Sequence, residues 1–130
     1  DGRMPWQAYA RPAPAVPAGA PRLAVLLIDM GLSERLTGPA LEQLPGQVSV
    51  VLNGQSAKLE EYITRARARG HEVVLDVPAE PRFYPEEDPG PTALMTRIGN
   101  DENTRRLRTW LAKAPGVIGI TSLGGTQFVT

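Results

Sequence analysis

The chain has 130 residues, and its 14 Lys and Arg balance 14 Asp and Glu, so the formal net charge is zero. That length suits one domain with a single core, and the even charge argues against nucleic acid or an anionic membrane as a partner. There is no cysteine, which excludes disulfides, thiolate metal sites and cysteine nucleophiles. No apolar run approaches the roughly 18 residues of a membrane span.

Residues 1–22 differ from the rest. Pro5, Pro12, Pro14, Pro17 and Pro21 stand among alanines. Proline cannot donate to a ladder and pushes the residue before it toward extended backbone, so this stretch reads as an extended tether to a domain over 23–130. Trp6 and Tyr9 interrupt it and are expected to dock on the domain or a partner. A chain that opens on Asp1 is expected to be a processed or trimmed product, with any signal or anchor upstream.

Leu23–Ile28 is a continuous apolar run ending at Asp29, and its length suits a strand buried on both faces of a parallel sheet. Gly31 breaks the run, and Ser33 is placed to cap a helix reaching about Gln43. After the turn signal Pro45-Gly46, Val48–Leu52 reads as the second strand. Ser56 is a candidate N-cap for a second helix, whose stripe is Leu59, Tyr62, Ile63 and Ala66 and whose C-terminal glycine is Gly70. Glu72–Val77 gives a third strand closed by Pro78. From Ala79 to about Gly99 runs a long loop with Pro81, Pro85, Pro89, Pro91 and the acidic run Glu86-Glu87-Asp88. Loops of this length inside compact domains are functional or disordered. Asn100 or Asp101 opens a third helix, with Asp101 and Glu102 near its positive end and a stripe of Leu107, Trp110, Leu111 and Ala114. Pro115-Gly116 stops it before a fourth strand, Val117–Ile120, and a loop over Ser122–Thr126. The order β-α-β-α-β-loop-α-β predicts an α/β fold with a parallel sheet, either open or one side of an unfinished barrel.

Individual residues carry competing readings. Asp29 sits at a strand C-terminus, where α/β proteins build sites and where a carboxylate also caps the next turn. His71, the one histidine, is expected at the surface, since a lone His makes no metal site. Gly124-Gly125-Thr126 offers backbone amides to a phosphate but lacks the lysine and spacing of a P-loop, so no nucleotide site is expected. The loop Tyr84–Pro91, with Phe83 and Tyr84, is either a glycan groove with stacking faces or plain aromatic packing. In the clusters Arg65, Arg67, Arg69 and Arg105, Arg106, Arg108, residues two apart do not share a helix face, so a solvated surface is expected over a polyanion patch.

Four segments stand in register at the strand ends: Ala24–Gly31 (AVLLIDMG), Gly70–Pro81 (GHEVVLDVPAEP), Tyr84–Pro91 (YPEEDPGP) and Gly116–Phe128 (GVIGITSLGGTQF). With them, residues 22–130 resemble the divergent polysaccharide deacetylase family, a branch of the NodB-like carbohydrate esterases. The resemblance implies the first part of a distorted (β/α) barrel. It also implies a site: a double Asp after the first strand, a ligand His at the end of the third, and a ligand His after the fourth. Here Asp29 keeps the position of the catalytic base, Met30 replaces a metal ligand, Asp76 stands for the first His, and Leu123 for the second. The remaining family elements are expected beyond Thr130.

Deacetylation on such a site uses a Lewis-acid metal, held by three protein ligands with one position open. A thioether is a weak donor for that role and leucine donates nothing, which leaves Asp76, with Asp29 and Glu80 nearby. The expectation is therefore a catalytically inactive deacetylase-like domain without metal or other cofactor. It would bind a protein or a glycan in the bacterial envelope or periplasm, through a groove of Glu80, Phe83, Tyr84 and Asp88. The alternatives are a metal-dependent polysaccharide deacetylase with an atypical site, and a structural subunit of a larger assembly. Strands this apolar do not lie against water, so a partner chain or a second copy is expected to cover the open sheet edge.

Overall fold

The computed structural model describes residues 2–129. In chain order the elements are α1 (Pro5–Tyr9), β1 (Leu26–Met30), α2 (Glu34–Gln43), β2 (Ser49–Asn53), α3 (Leu59–Ala68), β3 (Val73–Asp76), α4 (Asn100–Ala112) and β4 (Gly119–Thr121). The strands form one parallel sheet in the order β1-β2-β3-β4, the parallel α/β architecture expected from the alternating pattern. Each new strand adds beside the last without reversal. Right-handed crossovers then place α2, α3 and α4 on the same face of the sheet.

The core lies between that face and the helices. It joins Val50, Leu52, Val73, Leu75 and Val77 to Leu41 of α2, to Leu59, Tyr62, Ile63 and Ala66 of α3, and to Trp110 of α4. Burying an aliphatic side chain of this kind contributes about 1.5–3 kcal/mol. Strand alternation puts Val51 and Val74, then Asn53 and Asp76, on the opposite face. Asn53 pairs in register with Asp76, and Asp76 with Thr121, so these three side chains share one face at the C-terminal ends of neighbouring strands.

The helix ends follow from local chemistry. Ser33 occupies the N-cap of α2 in extended backbone. The first-turn Glu34 accepts hydrogen bonds from Lys58 Nζ at 2.7 Å and Tyr62 Oη at 2.7 Å, pinning α2 to α3. Ser56 does not cap α3, whose N-cap is Lys58. Its hydroxyl instead donates to the Gly31 carbonyl at 2.6 Å and ties the turn after β1 to the turn after β2. Gly70, at φ +85°, ends α3 with the expected glycine. His71 N–H donates to Ala66 O and Gly70 N–H to Arg67 O, both at 3.0 Å, the paired bonds of a Schellman motif.

Several expectations are corrected. The first strand begins at Leu26, and it is an edge: Leu23 is 90% exposed, while Leu26 and Ile28 are half exposed. The run from Leu23 is thus not buried on both faces, because among the described residues no strand lies beyond it in the sheet. His71 is buried, with Nδ1 2.7 Å from Val48 O and Nε2 3.2 Å from Leu41 O. It fastens the end of α2 to the start of β2. The long loop is packed: Ala93, Leu94 and Met95 are buried, and Glu80 N–H donates to Leu94 O while Leu94 N–H donates to Pro78 O. In α4 only Trp110 is buried, and Leu111 is exposed. The N-terminal stretch includes the helix α1 and docks in part. Arg67 Nη1 donates to Tyr9 O at 3.0 Å, its guanidinium stands 5.1 Å from the Tyr9 ring centroid, and Arg11 N–H donates to Glu72 Oε1 at 2.7 Å. Trp6 stays exposed. No helix of the described residues is long and apolar enough to cross a membrane.

Candidate functional site

Parallel sheets expose their strand C-termini to the loops that follow, and ligands bind there. In this chain that end carries a cavity of about 290 Å³, lined by Asn53 and Gln55 after β2, Asp76 through Ala79 after β3, Pro81, Glu87, Asp88 and Pro89 from the long loop, and Gly124 after β4. Its volume stands at the small end for a ligand pocket.

The walls are fixed by local hydrogen bonds. Asn53 Oδ1 accepts Gln55 N–H at 2.8 Å, and Gln55 Nε2 donates to Pro89 O at 3.0 Å, holding the loop against the β2 turn. Asp88 Oδ1 accepts Gly90 N–H at 2.8 Å. Gly54 N–H donates to Asp76 O, and a Cβ at Gly54 would come within 2.9 Å of that oxygen, so the close approach of β2 and β3 requires glycine here. Asp76 Oδ1 accepts Leu123 N–H at 2.9 Å. Burial pushes the Asp76 carboxyl above the usual range; the Leu123 N–H opposes this, and the nearby charge of Asp29 adds to it. An acidic group with a raised pKa in a cleft is the kind of perturbation found at functional sites.

The sequence-derived positions separate in space. Asp29 is exposed at φ +58°, the one non-glycine residue in the left-handed region among the described residues, where the β1–β2 register shifts between Leu27 and Met30. Such backbone costs of order 1–3 kcal/mol in a non-glycine residue. Met30 is 6% exposed and belongs to the core, paired in register with Leu52. Leu123 is 40% exposed and contributes its backbone N–H. Of the proposed groove, Asp88 lines the cavity. Glu80 does not: it is buried, its carboxylate accepts both the N–H and the hydroxyl of Thr96 at 2.6 Å, and those two bonds hold its pKa below the usual value. Phe83 points into solvent at 61% exposure, and Tyr84 lies 4.7 Å from the Arg97 guanidinium, whose Nη2 donates to its hydroxyl. Glu87 joins Asp88 from the loop Tyr84–Pro91, whereas Asn53 and Gln55 line the cavity without having been singled out in the sequence. Asn53 was readable, since it ends an apolar strand just before a glycine, at the level where Asp76 ends the next.

Residues 25–130 match the divergent polysaccharide deacetylase family, and the chain belongs to it. Among its relatives is the uncharacterized protein YibQ of Escherichia coli K12, 25% identical over 114 residues, covering 88% of this chain and 35% of YibQ. The crystal structure of the uncharacterized protein ATU2773 from Agrobacterium tumefaciens C58 superposes with a TM-score of 0.86 at 32% identity, covering 98% of this chain and 51% of that one. The chain thus spans about half or less of the length of these relatives.

The resemblance implies a metal, and the residues present do not fit one. Met30 turns its thioether into the core, Leu123 has no side-chain donor, and Asp76 shares one oxygen with a backbone N–H. Among the described residues no three His, Cys, Asp or Glu side chains stand together as a metal-binding group. What the cavity offers is a set of hydrogen-bonding groups, the carboxylates of Asp76, Glu87 and Asp88 and the amides of Asn53 and Gln55, beside the apolar faces of Pro78, Pro81 and Pro89. Carboxylates and amides next to apolar faces suit hydroxyl-rich ligands.

Proposed function

We propose that this domain is a catalytically inactive, deacetylase-like module that binds a glycan or a protein partner in the bacterial envelope. The observation that carries the reading is the pairing of a retained cleft with lost ligands. The cavity over β2, β3 and β4 persists with polyol-compatible walls, while the positions that would hold the metal carry a core thioether, an N–H-bonded carboxylate and an exposed leucine. The envelope assignment is supported by the family resemblance and, more weakly, by the absence of cysteine and the Pro/Ala-rich tether.

A partner surface is supported by the sheet margins. Leu23, Leu26, Ile28, Leu32 and Leu36 are exposed along β1 and the start of α2, and Ile120 and Leu123 beside β4. Contiguous exposed apolar side chains mark association surfaces, and a parallel edge left open invites a further strand. This also supports the reading as a structural subunit of a larger assembly. The alternative of an atypical metal-dependent deacetylase has one observation in its favour: Asp29 keeps a costly left-handed backbone of the kind found at active sites.

One experiment separates these readings. The protein is supplied with zinc and acetylated chito-oligosaccharide, and metal uptake, acetate release and glycan binding are followed together. The expected result is substoichiometric metal, no acetate, and glycan binding weakened by Asp88→Asn. Stoichiometric zinc with acetate release, both abolished by Asp76→Ala, would establish the enzyme instead.

A further inference from the structure

A cavity of about 390 Å³ opens at the other end of the sheet, below the N-terminal ends of β2 and β3. One wall is the N-terminal stretch from Tyr9 to Pro12, and the other is the C-terminal end of α3 with the turn that follows it. Neither the family site nor the proposed function uses it.

Three guanidiniums line this cavity, those of Arg11, Arg67 and Arg69, against the single carboxylate of Glu72. Among the described residues none of the three has a carboxylate partner. Arg67 donates to Tyr9 O and lies near its ring, Arg69 reaches Glu42 O at 3.4 Å, and Arg11 is held only through its backbone N–H. Glu72 is engaged at both oxygens, by Arg11 N–H and by the Ser49 hydroxyl at 3.3 Å. The neighbouring arginines differ. Arg65 contacts Glu34, Glu42 and Glu61, and Arg105 and Arg106 share Glu102. Three guanidiniums without a carboxylate partner among the described residues thus converge on one concave place. The Schellman turn accounts for this: Arg69 is the C-cap residue of α3, so the chain leaves the helix there and Arg69 lines the cavity beside Arg67.

A guanidinium presents five N–H donors in a planar fork that matches a tetrahedral oxyanion, and most of these donors have no acceptor here. Charge-assisted pairs of this kind are the strong ones. We propose that the cavity is an anion site for a phosphoryl group, with Arg11 and Arg69 reaching in from opposite walls and Arg67 as the fixed member held by Tyr9. A bound phosphoryl group would bridge the N-terminal stretch to the domain and lock the two together.

The probe is inorganic phosphate, titrated calorimetrically at low ionic strength, with sodium chloride of matched ionic strength as the control. Saturable binding is expected, with amide shifts at Tyr9, Arg11, Gly46 and Gly70. In Arg11→Gln/Arg69→Gln the affinity should fall about tenfold or more for each guanidinium removed. Arg105→Gln/Arg108→Gln, which removes equal charge from α4, should leave it unchanged. Both pairs keep the Arg67 bond that anchors the N-terminal stretch, and far-UV circular dichroism verifies their fold. Co-sedimentation with phosphatidylglycerol vesicles, against phosphatidylcholine, assigns the source. Pelleting lost in the Arg11/Arg69 variant points to a lipid headgroup, whereas phosphate binding without pelleting points to a soluble phosphate. No saturable binding beyond that of chloride, or equal weakening in both variants, would overturn the proposal.

Discussion

Trp110 is the sole buried residue of α4, a helix of 13 residues. The indole is 5% exposed, its edge would lie 3.2 Å from a Cβ at Gly54, and its Nε1–H donates to Thr92 O at 3.1 Å. It therefore joins α4, the β2 turn and the long loop at one point, with Lys113 Nζ 4.9 Å from the ring centroid on its outer side. Trp110→Phe keeps most of the packing and loses a hydrogen bond worth about 0.5–1.5 kcal/mol. With the added loss of ring volume, the total should be about 1–2 kcal/mol. Trp110→Ala removes the anchor and should cost about 3–5 kcal/mol, a large share of the 5–15 kcal/mol typical of a whole domain. Urea unfolding followed by far-UV circular dichroism gives both values, and hydrogen exchange locates the effect. The amides of α4 should exchange faster in the alanine variant while those of β2 and β3 change only with global stability. A cost below about 1 kcal/mol for Trp110→Ala, or unchanged exchange in α4, would show that the helix is held by other contacts.

Two further outcomes concern pH. Burial, reinforced by Asp29, raises the Asp76 pKa above its ordinary 3.8, so the folded state takes up a proton more readily than the unfolded chain. Stability should then fall as pH rises from about the unfolded value through the raised folded one. Asp76→Asn should remove that fall and increase Tm at neutral pH, and melting curves that stay parallel across the acid range would refute it. Glu34 behaves in the opposite sense, because the Lys58 ammonium first, then the Tyr62 hydroxyl and Arg65, lower its pKa from 4.5 to about 2. Its contribution is present above the ordinary carboxylate range and is lost as pH falls toward about 2. Glu34→Gln should flatten that part of the Tm profile, and an unchanged acid limb would remove Glu34 from the account.

The local sequence carried those features that depend on a few neighbouring residues. Gly70 ends α3 because the left-handed turn there requires it, and the stripe Leu59, Tyr62, Ile63, Ala66 is the buried face of α3. What failed depended on distant neighbours. Leu23–Ile28 has the composition of a doubly buried strand, yet burial is conferred by what lies alongside, and among the described residues no strand lies beyond β1. His71 follows a helix-ending glycine, usually an exposed position, but the carbonyls of Val48 and Leu41 converge on its ring from 23 and 30 residues away. Within the site, Asp76 was legible from its place at a strand end. Glu80 lies a few residues further on, yet Thr96 claims it across the loop, a contact that no local pattern announces.

The place of Met30 also decides what an acidic side chain could do there. At the end of β1 it belongs to the core beside Leu52, so Met30→Asp would set a carboxylate among hydrocarbon. There the charged form is disfavoured and the group takes up a proton, which removes it as a ligand. That one substitution would therefore yield a less stable protein with no added donor, and a ligand at this position would require the surrounding core to change with it.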